Sequence, residues 1–161
     1  MASHKPGFLT LSFHPVFVIG HDLFQERPEE LGGVNGLFWQ SLHSETPIMP
    51  SSLVDVRDVA LAFARAFDET EEKDKSGKDV VKSGTEYLLA GREVKWRDVV
   101  DFVKEKYPAV QVQINTSLPV VNRSGGSVDT KPAEEELGLR WRSMEETVGA
   151  VVEQQLALKG Q

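Results

Sequence analysis

The chain has 161 residues, a formal net charge of −7 at pH 7 and no cysteine. This length suits a single domain, 1–161, that buries roughly 70% of the surface of the unfolded chain. The acidic balance and the absence of a Lys/Arg block argue against nucleic acid and anionic membranes as partners. Without cysteine there is no disulfide scaffold, thiolate metal site or cysteine nucleophile. No apolar run approaches the roughly 18 residues of a membrane span, so we predict a cytoplasmic protein.

An apolar stretch from Phe8 to Gly20 is rich in aromatic and β-branched residues and is interrupted once, by His14-Pro15. Its first part, Phe8 to Phe13, predicts a buried strand. Because proline cannot donate to a sheet ladder, we expect this strand to end at about His14 and Val16 to Gly20 to leave the sheet as a loop. In an open α/β sheet, the loop after such a strand faces the ligand crevice.

Helical and alternating spacings predict the other elements. We expect a helix over 31–43, a strand over 51–55, a helix from Val56 to about Phe67, a strand over 85–90, a helix from Trp96 to Tyr107, an alternating strand over 110–114, a short helix over 131–137 and a last helix from Ser143 to about Leu158. Residues 68–84 predict an exposed charged loop, and 115–130 an irregular polar loop. The architecture predicted by these elements is α/β.

The helix from Val56 carries one apolar face at helical spacing, formed by Val56, Val59, Ala60, Phe63 and Phe67. Asp55 directly precedes this helix, and Asp58 follows three residues later in an arrangement similar to a capping box. Asp55, Arg57 and Asp58 also suggest a catalytic group. A helix cap with an exposed ion pair is the interpretation we favour.

Three segments resemble one family. Residues 14–21, His-Pro-Val-Phe-Val-Ile-Gly-His, resemble the N-P-x-x-V-x-G-P segment of extended short-chain dehydrogenases/reductases, of the dihydroflavonol-reductase and aldehyde/ketone-reductase type within the NAD-dependent epimerase/dehydratase superfamily. Residues 53–60 resemble the V-D-V-R-D-V-A segment, and 129–147 the C-terminal segment, with departures at Lys131-Pro132 and Trp141. The resemblance implies the C-terminal part of a Rossmann-type doubly wound sheet with a small substrate-binding lobe.

The same resemblance implies an NAD(P)-dependent carbonyl reductase of small-molecule or secondary metabolism, with NADP as cofactor and a hydrophobic ketone or aldehyde as substrate. Such an enzyme needs a glycine-rich turn for the pyrophosphate and a tyrosine assisted by a lysine four residues on. Residues 32–36, Gly-Gly-Val-Asn-Gly, have the wrong spacing, and neither Tyr87 nor Tyr107 is followed by that lysine. We therefore assign no catalytic residue and expect no family-type hydride transfer by this chain alone.

Candidate binding residues follow from the resemblance. The loop after the first strand would contact the cofactor through Pro15, Val16, Phe17 and Val18, and the substrate pocket would include His21, Asn35 and Phe38. The alternatives are ordinary core and turn residues for the first group, a solvated loop residue for His21, where the family segment has proline, and core packing for Phe38. The histidines have no metal-ligand spacing, so we predict no metal site.

If the first strand lacks a neighbour on one side, its open edge offers a template for pairing. We therefore predict a homo-oligomer or a complex with a reductase-like partner chain. Two alternatives to a reductase stay open. One is a non-redox protein that binds a metabolite or acts as a cyclase or isomerase, and the other is a non-functional remnant.

Overall fold

The computed structural model describes residues 8–69, 81–118 and 128–160. Within these ranges the elements are β1 (Leu11–Pro15), β2 (Phe17–Ile19), a 3-10 turn (Pro28–Glu30), α1 (Gly33–Leu42), β3 (Leu53–Asp55), α2 (Val56–Glu69), β4 (Thr85–Leu89), α3 (Trp96–Lys106), α4 (Lys131–Glu136) and α5 (Met144–Leu158). This order confirms the α/β class. Residues 70–80 of the predicted charged loop and 119–127 of the predicted polar loop lie outside the described ranges.

The first extended stretch contributes to two parallel strand pairs. β1 pairs with β4, with Pro15 opposite Leu89, and β2 pairs with β3. The change of partner falls at Val16, whose N–H donates to the carbonyl of Leu89 at 2.9 Å. The prediction that the strand would end at about His14 is confirmed, since β1 ends at Pro15. The prediction that Val16 to Gly20 would form a loop was wrong, because Phe17–Ile19 form β2. Proline is tolerated because it occupies the last position of β1, after which Val16 supplies the next donor.

The helix α2 presents a different face to the protein from the one that its hydrophobic pattern predicts. Its buried residues are Asp58, Ala62 and Ala66, whereas Phe63 and Phe67 are 48% and 77% exposed. We name the exposed row of Val56, Ala60, Phe63 and Phe67 the α2 apolar face. The expectation that this row packs inward was wrong, because the aspartate on the opposite side is itself buried in an ion pair with Arg142 and the two alanines allow close approach.

Two hydrophobic clusters form the core. The larger one joins α1, α3 and α5, with Phe38 stacked on Trp96 at a centroid distance of 5.7 Å. The smaller one surrounds Tyr87 and includes Ala62 and Ala66 of α2. In both clusters, buried side chains of the helices pack against the strands. This packing fixes the position of the chain segments that follow β2 and β3.

The predicted strand over 110–114 was wrong. Val110 and Ile114 are buried and Gln111 and Gln113 are exposed, so the alternation is present. However, residues 111–115 form no strand ladder. The backbone instead docks on the end of α1, where the N–H of Gln113 donates to the carbonyl of Leu42 at 2.8 Å. An alternating pattern indicates which side chains are buried, but not which groups the backbone bonds to. Here a carbonyl at the end of α1 accepts from the backbone N–H, as a neighbouring strand would.

Candidate functional site

A cavity of about 780 Å³ opens between the loop after β2, the N-terminal end of α1 and the first turn of α2. Most of its wall is apolar, and the apolar side chains that line it are Val18, Ile19, Leu23, Phe24, Val34, Val56 and Ala60. The polar side chains at its wall are His21, Asp22, Glu30, Asn35 and Arg57. A cavity of this size and lining is typical of a site for a small organic molecule.

Gly20 begins the loop that shapes the cavity, and Asn35 of α1 holds it. The Asn35 side chain accepts from the N–H of Gly20 at 3.1 Å and donates to the carbonyl of Gly20 at 2.7 Å. Gly20 has φ of +149°, and a Cβ built there would lie 2.7 Å from Cγ1 of Val56. The glycine therefore allows the loop to approach α2 closely.

The next fixed point of the loop is Asp22, which α5 holds. Gln154 accepts from the N–H of Asp22 at 2.8 Å and donates to its carbonyl at 2.7 Å. The adjacent Gln155 donates to Oε1 of Gln25 at 2.8 Å, and Asp22 accepts from the N–H of Phe24 at 2.9 Å. The C-terminal helix therefore fixes the loop at two places, although it is more than 120 residues away in sequence.

His21 lies between these two fixed residues and is exposed at the cavity wall. Its imidazole makes no hydrogen bond to the residues that the structure describes, whereas the Asn35 carboxamide uses its oxygen and one N–H on Gly20. Glu30 accepts from Arg27 and from two backbone N–H groups. Among the described polar side chains of the wall, His21 is therefore the one whose hydrogen-bonding groups are all available to a ligand.

An ion pair between the buried Asp55 and the exposed Arg57 lies at the α2 side of the cavity. Arg57 donates to both carboxylate oxygens of Asp55, at 2.8 and 2.6 Å, and Asp55 also caps α2 by accepting from the N–H of Arg57. Burial favours the neutral form of Asp55, but the hydrogen bonds from Arg57 outweigh it and lower the pKa of Asp55. The pair fixes the start of α2 and leaves no free carboxylate for acid/base work at this position.

The structure brings together only part of the predicted site. Val18, His21 and Asn35 line the cavity. Pro15, Val16 and Phe17 do not; they precede Val18 along β1, the link and β2, and Phe17 packs against the larger core cluster. Phe38 is fully buried against Trp96 in the core. The contact of Gln154 with the loop could not be predicted from the sequence, because no motif links a glutamine in the C-terminal helix to a loop near the N-terminus.

The described residues do not form a dinucleotide site. Val18 offers an apolar wall for a flat ring, but a pyrophosphate needs a glycine turn that leads directly from a strand into a helix. The glycines at the start of α1 follow a 3-10 turn and not a strand, and the N–H of Gly36 is already used in the first helical hydrogen bond, to the carbonyl of Gly32 at 2.9 Å. Over the described ranges, no cluster of metal-ligating side chains and no helix able to cross a membrane is found.

Comparison with known proteins shows the family. The chain is 32% identical to the ketoreductase sphI of Aspergillus fumigatus over 156 residues, 94% of this chain and 43% of that protein. It is 26% identical to the NADPH-dependent methylglyoxal reductase GRE2 of Saccharomyces cerevisiae over 95% of this chain and 44% of that protein. The chain belongs to the extended short-chain dehydrogenase/reductase family. It spans less than half the length of these relatives, and no family model matches it.

Solved structures show the fold of this short-chain reductase relative. Gre2 from Candida albicans superposes with a TM-score of 0.68 at 22% identity, over 98% of this chain and 47% of that chain. The yeast methylglyoxal/isovaleraldehyde reductase Gre2, crystallised with NADPH, gives a TM-score of 0.63 at 23% identity over 92% of this chain and 43% of that chain. The Rossmann-type assignment is thereby confirmed for the region that the chain covers.

Proposed function

We propose that this chain is the substrate-binding part of an NADPH-dependent carbonyl reductase that acts on an apolar ketone or aldehyde in the cytoplasm. The observation that carries the proposal is the cavity of about 780 Å³ with its apolar wall and free imidazole. The named activities of its relatives, ketoreductase and NADPH-dependent methylglyoxal reductase, support a carbonyl substrate and this cofactor.

In this proposal the residues of the chain bind and orient the substrate. The apolar wall, with Val34 and Val56, excludes water from the substrate body, while His21 offers a hydrogen bond to its oxygen. Bound NADPH supplies the hydride. The residues that hold the dinucleotide and deliver the proton come from outside this sequence, in a second polypeptide of the same family.

The surface next to the cavity supports such a partner. The α2 apolar face is exposed, and Phe13 of β1 contacts its Phe63 at a centroid distance of 4.4 Å. On its other side, β1 pairs with no described strand. An apolar helix face beside an open strand edge is what a partner with its own sheet would cover. The relatives are more than twice as long as the matched region, and the part of them outside the match is the kind of cover that we propose for this surface.

The experiment is complementation of the full chain with the portion of GRE2 that the match leaves uncovered. Calorimetry with NADPH should show no binding to either piece alone and micromolar binding to the mixture. NADPH absorbance should then decrease on addition of methylglyoxal or acetophenone. A mixture that binds neither nucleotide nor the partner piece would overturn the reductase assignment. NADPH oxidation by the chain alone would overturn the claim that the cofactor residues lie outside it.

A non-redox role as a metabolite-binding protein is the second candidate. It is favoured by one observation, namely that the cavity wall is fixed by hydrogen bonds from Asn35 and Gln154 of the same chain. A pocket held in this way requires no partner to keep its shape. Binding of acetophenone by the chain alone with an affinity unchanged by the complementing piece would support this candidate over the reductase.

A further inference from the structure

We infer that Asn35 and Gln154 are positioning residues that hold the loop so that the His21 imidazole contacts the oxygen of a carbonyl ligand. The inference rests on the proposed function and assigns to this chain a polar contact of its own within the cavity. At the position of His21 the family segment has proline, which has no hydrogen-bonding side chain.

The carboxamide side chains of Asn35 and Gln154, which we call the clamps, bond to the backbone on either side of His21. Asn35 engages both the N–H and the carbonyl of Gly20, and Gln154 does the same to Asp22, with four donor–acceptor distances between 2.7 and 3.1 Å. A carboxamide carries an N–H donor and an acceptor oxygen on the same carbon atom, so it can bond to the N–H and the carbonyl of one residue at the same time. Because the backbone is tied before and after His21, the direction in which its side chain leaves the loop is limited.

The clamps come from two helices that the larger core joins. Asn35 lies in the first turn of α1, and Gln154 is 6% exposed in the last turns of α5. Phe38 of α1 and Val151 of α5 are fully buried in the same cluster. The position of the loop is therefore set by the packing of two rigid helices rather than by the local sequence of the loop, and this limits its movement when a ligand arrives.

The other polar side chains of the wall are at least partly committed to partners within the chain, so we assign the oxygen of a ligand to the His21 imidazole, whose nitrogens make no hydrogen bond to described residues. Arg57 is engaged by Asp55, Glu30 by Arg27, and Asn35 by Gly20. A neutral imidazole has one N–H donor and one acceptor nitrogen. Its donor suits a ketone or aldehyde oxygen, while the apolar wall suits the hydrocarbon body, so an aryl ketone is a suitable probe.

The test uses the isotopically labelled full chain with acetophenone as probe, followed by NMR of the histidine rings and backbone amides. The variants are Asn35→Asp and Gln154→Met, which remove the carboxamide donor, and His21→Phe, which keeps a ring without hydrogen-bonding atoms. Gln111→Met is the matched control, because Gln111 is exposed and away from the loop. Hydrogen exchange at the amides of Gly20 and Asp22 is measured in each variant without ligand.

In the wild type, we expect acetophenone to shift the His21 ring resonances together with the amides of Val34 and Val56. Each clamp variant and His21→Phe should weaken binding about three- to tenfold, the loss expected for one hydrogen bond. Each clamp variant should also speed amide exchange at the residue it holds. The control should change neither. If Gln154 acts through His21, the double variant Gln154→Met/His21→Phe should lose no more affinity for acetophenone than His21→Phe alone.

The outcomes separate this inference from the proposed function. Shifts at Val34 and Val56 without a response of the His21 ring would overturn the contact while leaving the pocket assignment standing. The positioning role would be overturned if the clamp variants bound acetophenone as the wild type does. It would also be overturned if the losses of affinity of the two single variants added fully in the double variant. If Gln154→Met does not fold, the Asn35→Asp variant decides. No shift anywhere in the cavity would overturn both proposals.

Discussion

Asp58 and Arg142, 84 residues apart in the chain, form an ion pair that joins α2 to the segment preceding α5. Asp58 accepts from the guanidinium of Arg142 and from its backbone N–H, the latter at 2.9 Å. The Asp58 side chain is 2% exposed and that of Arg142 is 31% exposed. This pair explains why an acidic residue, and not the aromatic row of α2, faces the interior.

Replacing the buried carboxylate should therefore destabilise the fold. We expect Asp58→Asn to lower the free energy of unfolding by about 2 kcal/mol, because a charge-assisted hydrogen bond is lost while one to the backbone remains. Urea unfolding followed by circular dichroism gives the value. Asp68→Asn, an exposed substitution near the end of the same helix, is the control. Equal effects of the two substitutions would show that the pair contributes nothing specific.

The ion pair of Asp55 and Arg57 predicts a dependence of stability on pH. Because the folded protein lowers the pKa of Asp55, the stabilisation is fully present above the pKa of an unfolded aspartate, about 3.9, and is lost as the pH falls below it. Urea midpoints measured between about pH 6 and pH 2 should fall more steeply in the wild type than in Asp55→Asn. Asp101→Asn, on an exposed position of α3, serves as the control. Parallel curves for wild type and Asp55→Asn would contradict the prediction.

Gly91 is required by a close approach of two backbones. Its N–H donates to the carbonyl of Leu53 at 2.9 Å, and a Cβ at Gly91 would lie 2.7 Å from that same oxygen. We expect Gly91→Ala to cost about 2 kcal/mol of unfolding free energy, since β3 must move to admit the methyl group. Gly32→Ala is the matched control, because a Cβ there would meet only the carbonyl oxygen of Glu30, at 3.7 Å. Thermal unfolding of both variants should separate them clearly.

The α2 apolar face predicts association. We expect the wild-type chain to self-associate or bind its partner through this face, and Phe67→Glu to weaken that association at least about tenfold, because it places a charge in an apolar contact. Ala64→Glu adds the same charge to an exposed position of α2 outside the face. Sedimentation velocity at several concentrations measures the effect. Loss of association in Ala64→Glu alone, or in both variants alike, would place the interface elsewhere.

Much of the fold could be predicted from local patterns. The start of α2 after Asp55 and the start of α5 at Ser143 follow from capping residues, and Ser143 with Glu146 forms a capping box. The last helix and the strand at Thr85 follow from periodic apolar residues. The segments at 14–21, 53–60 and 129–147 were sufficient to identify the family, because they depend on residue order and not on three-dimensional neighbours.

The site was less predictable for a physical reason. His21 and Asn35 could be proposed from their place in the loop and the following helix. However, Asn35 bonds to backbone atoms of Gly20, and because every residue has such atoms, the sequence does not reveal this contact. Gln154 holds Asp22 from 132 residues away, a relationship that no spacing in the sequence encodes.

The sequence by itself determined the helical segments and several of the extended ones, where some of them begin, and to which family the chain belongs, since these depend on local propensity, capping and residue order. Only the tertiary structure decided that the extended stretch changes partner at Val16, that Asp58 faces inward and Phe67 outward, and that Gln154 shapes the cavity. Each of these depends on a partner distant in the chain. Burial and hydrogen-bond satisfaction select such partners only when the whole chain is packed.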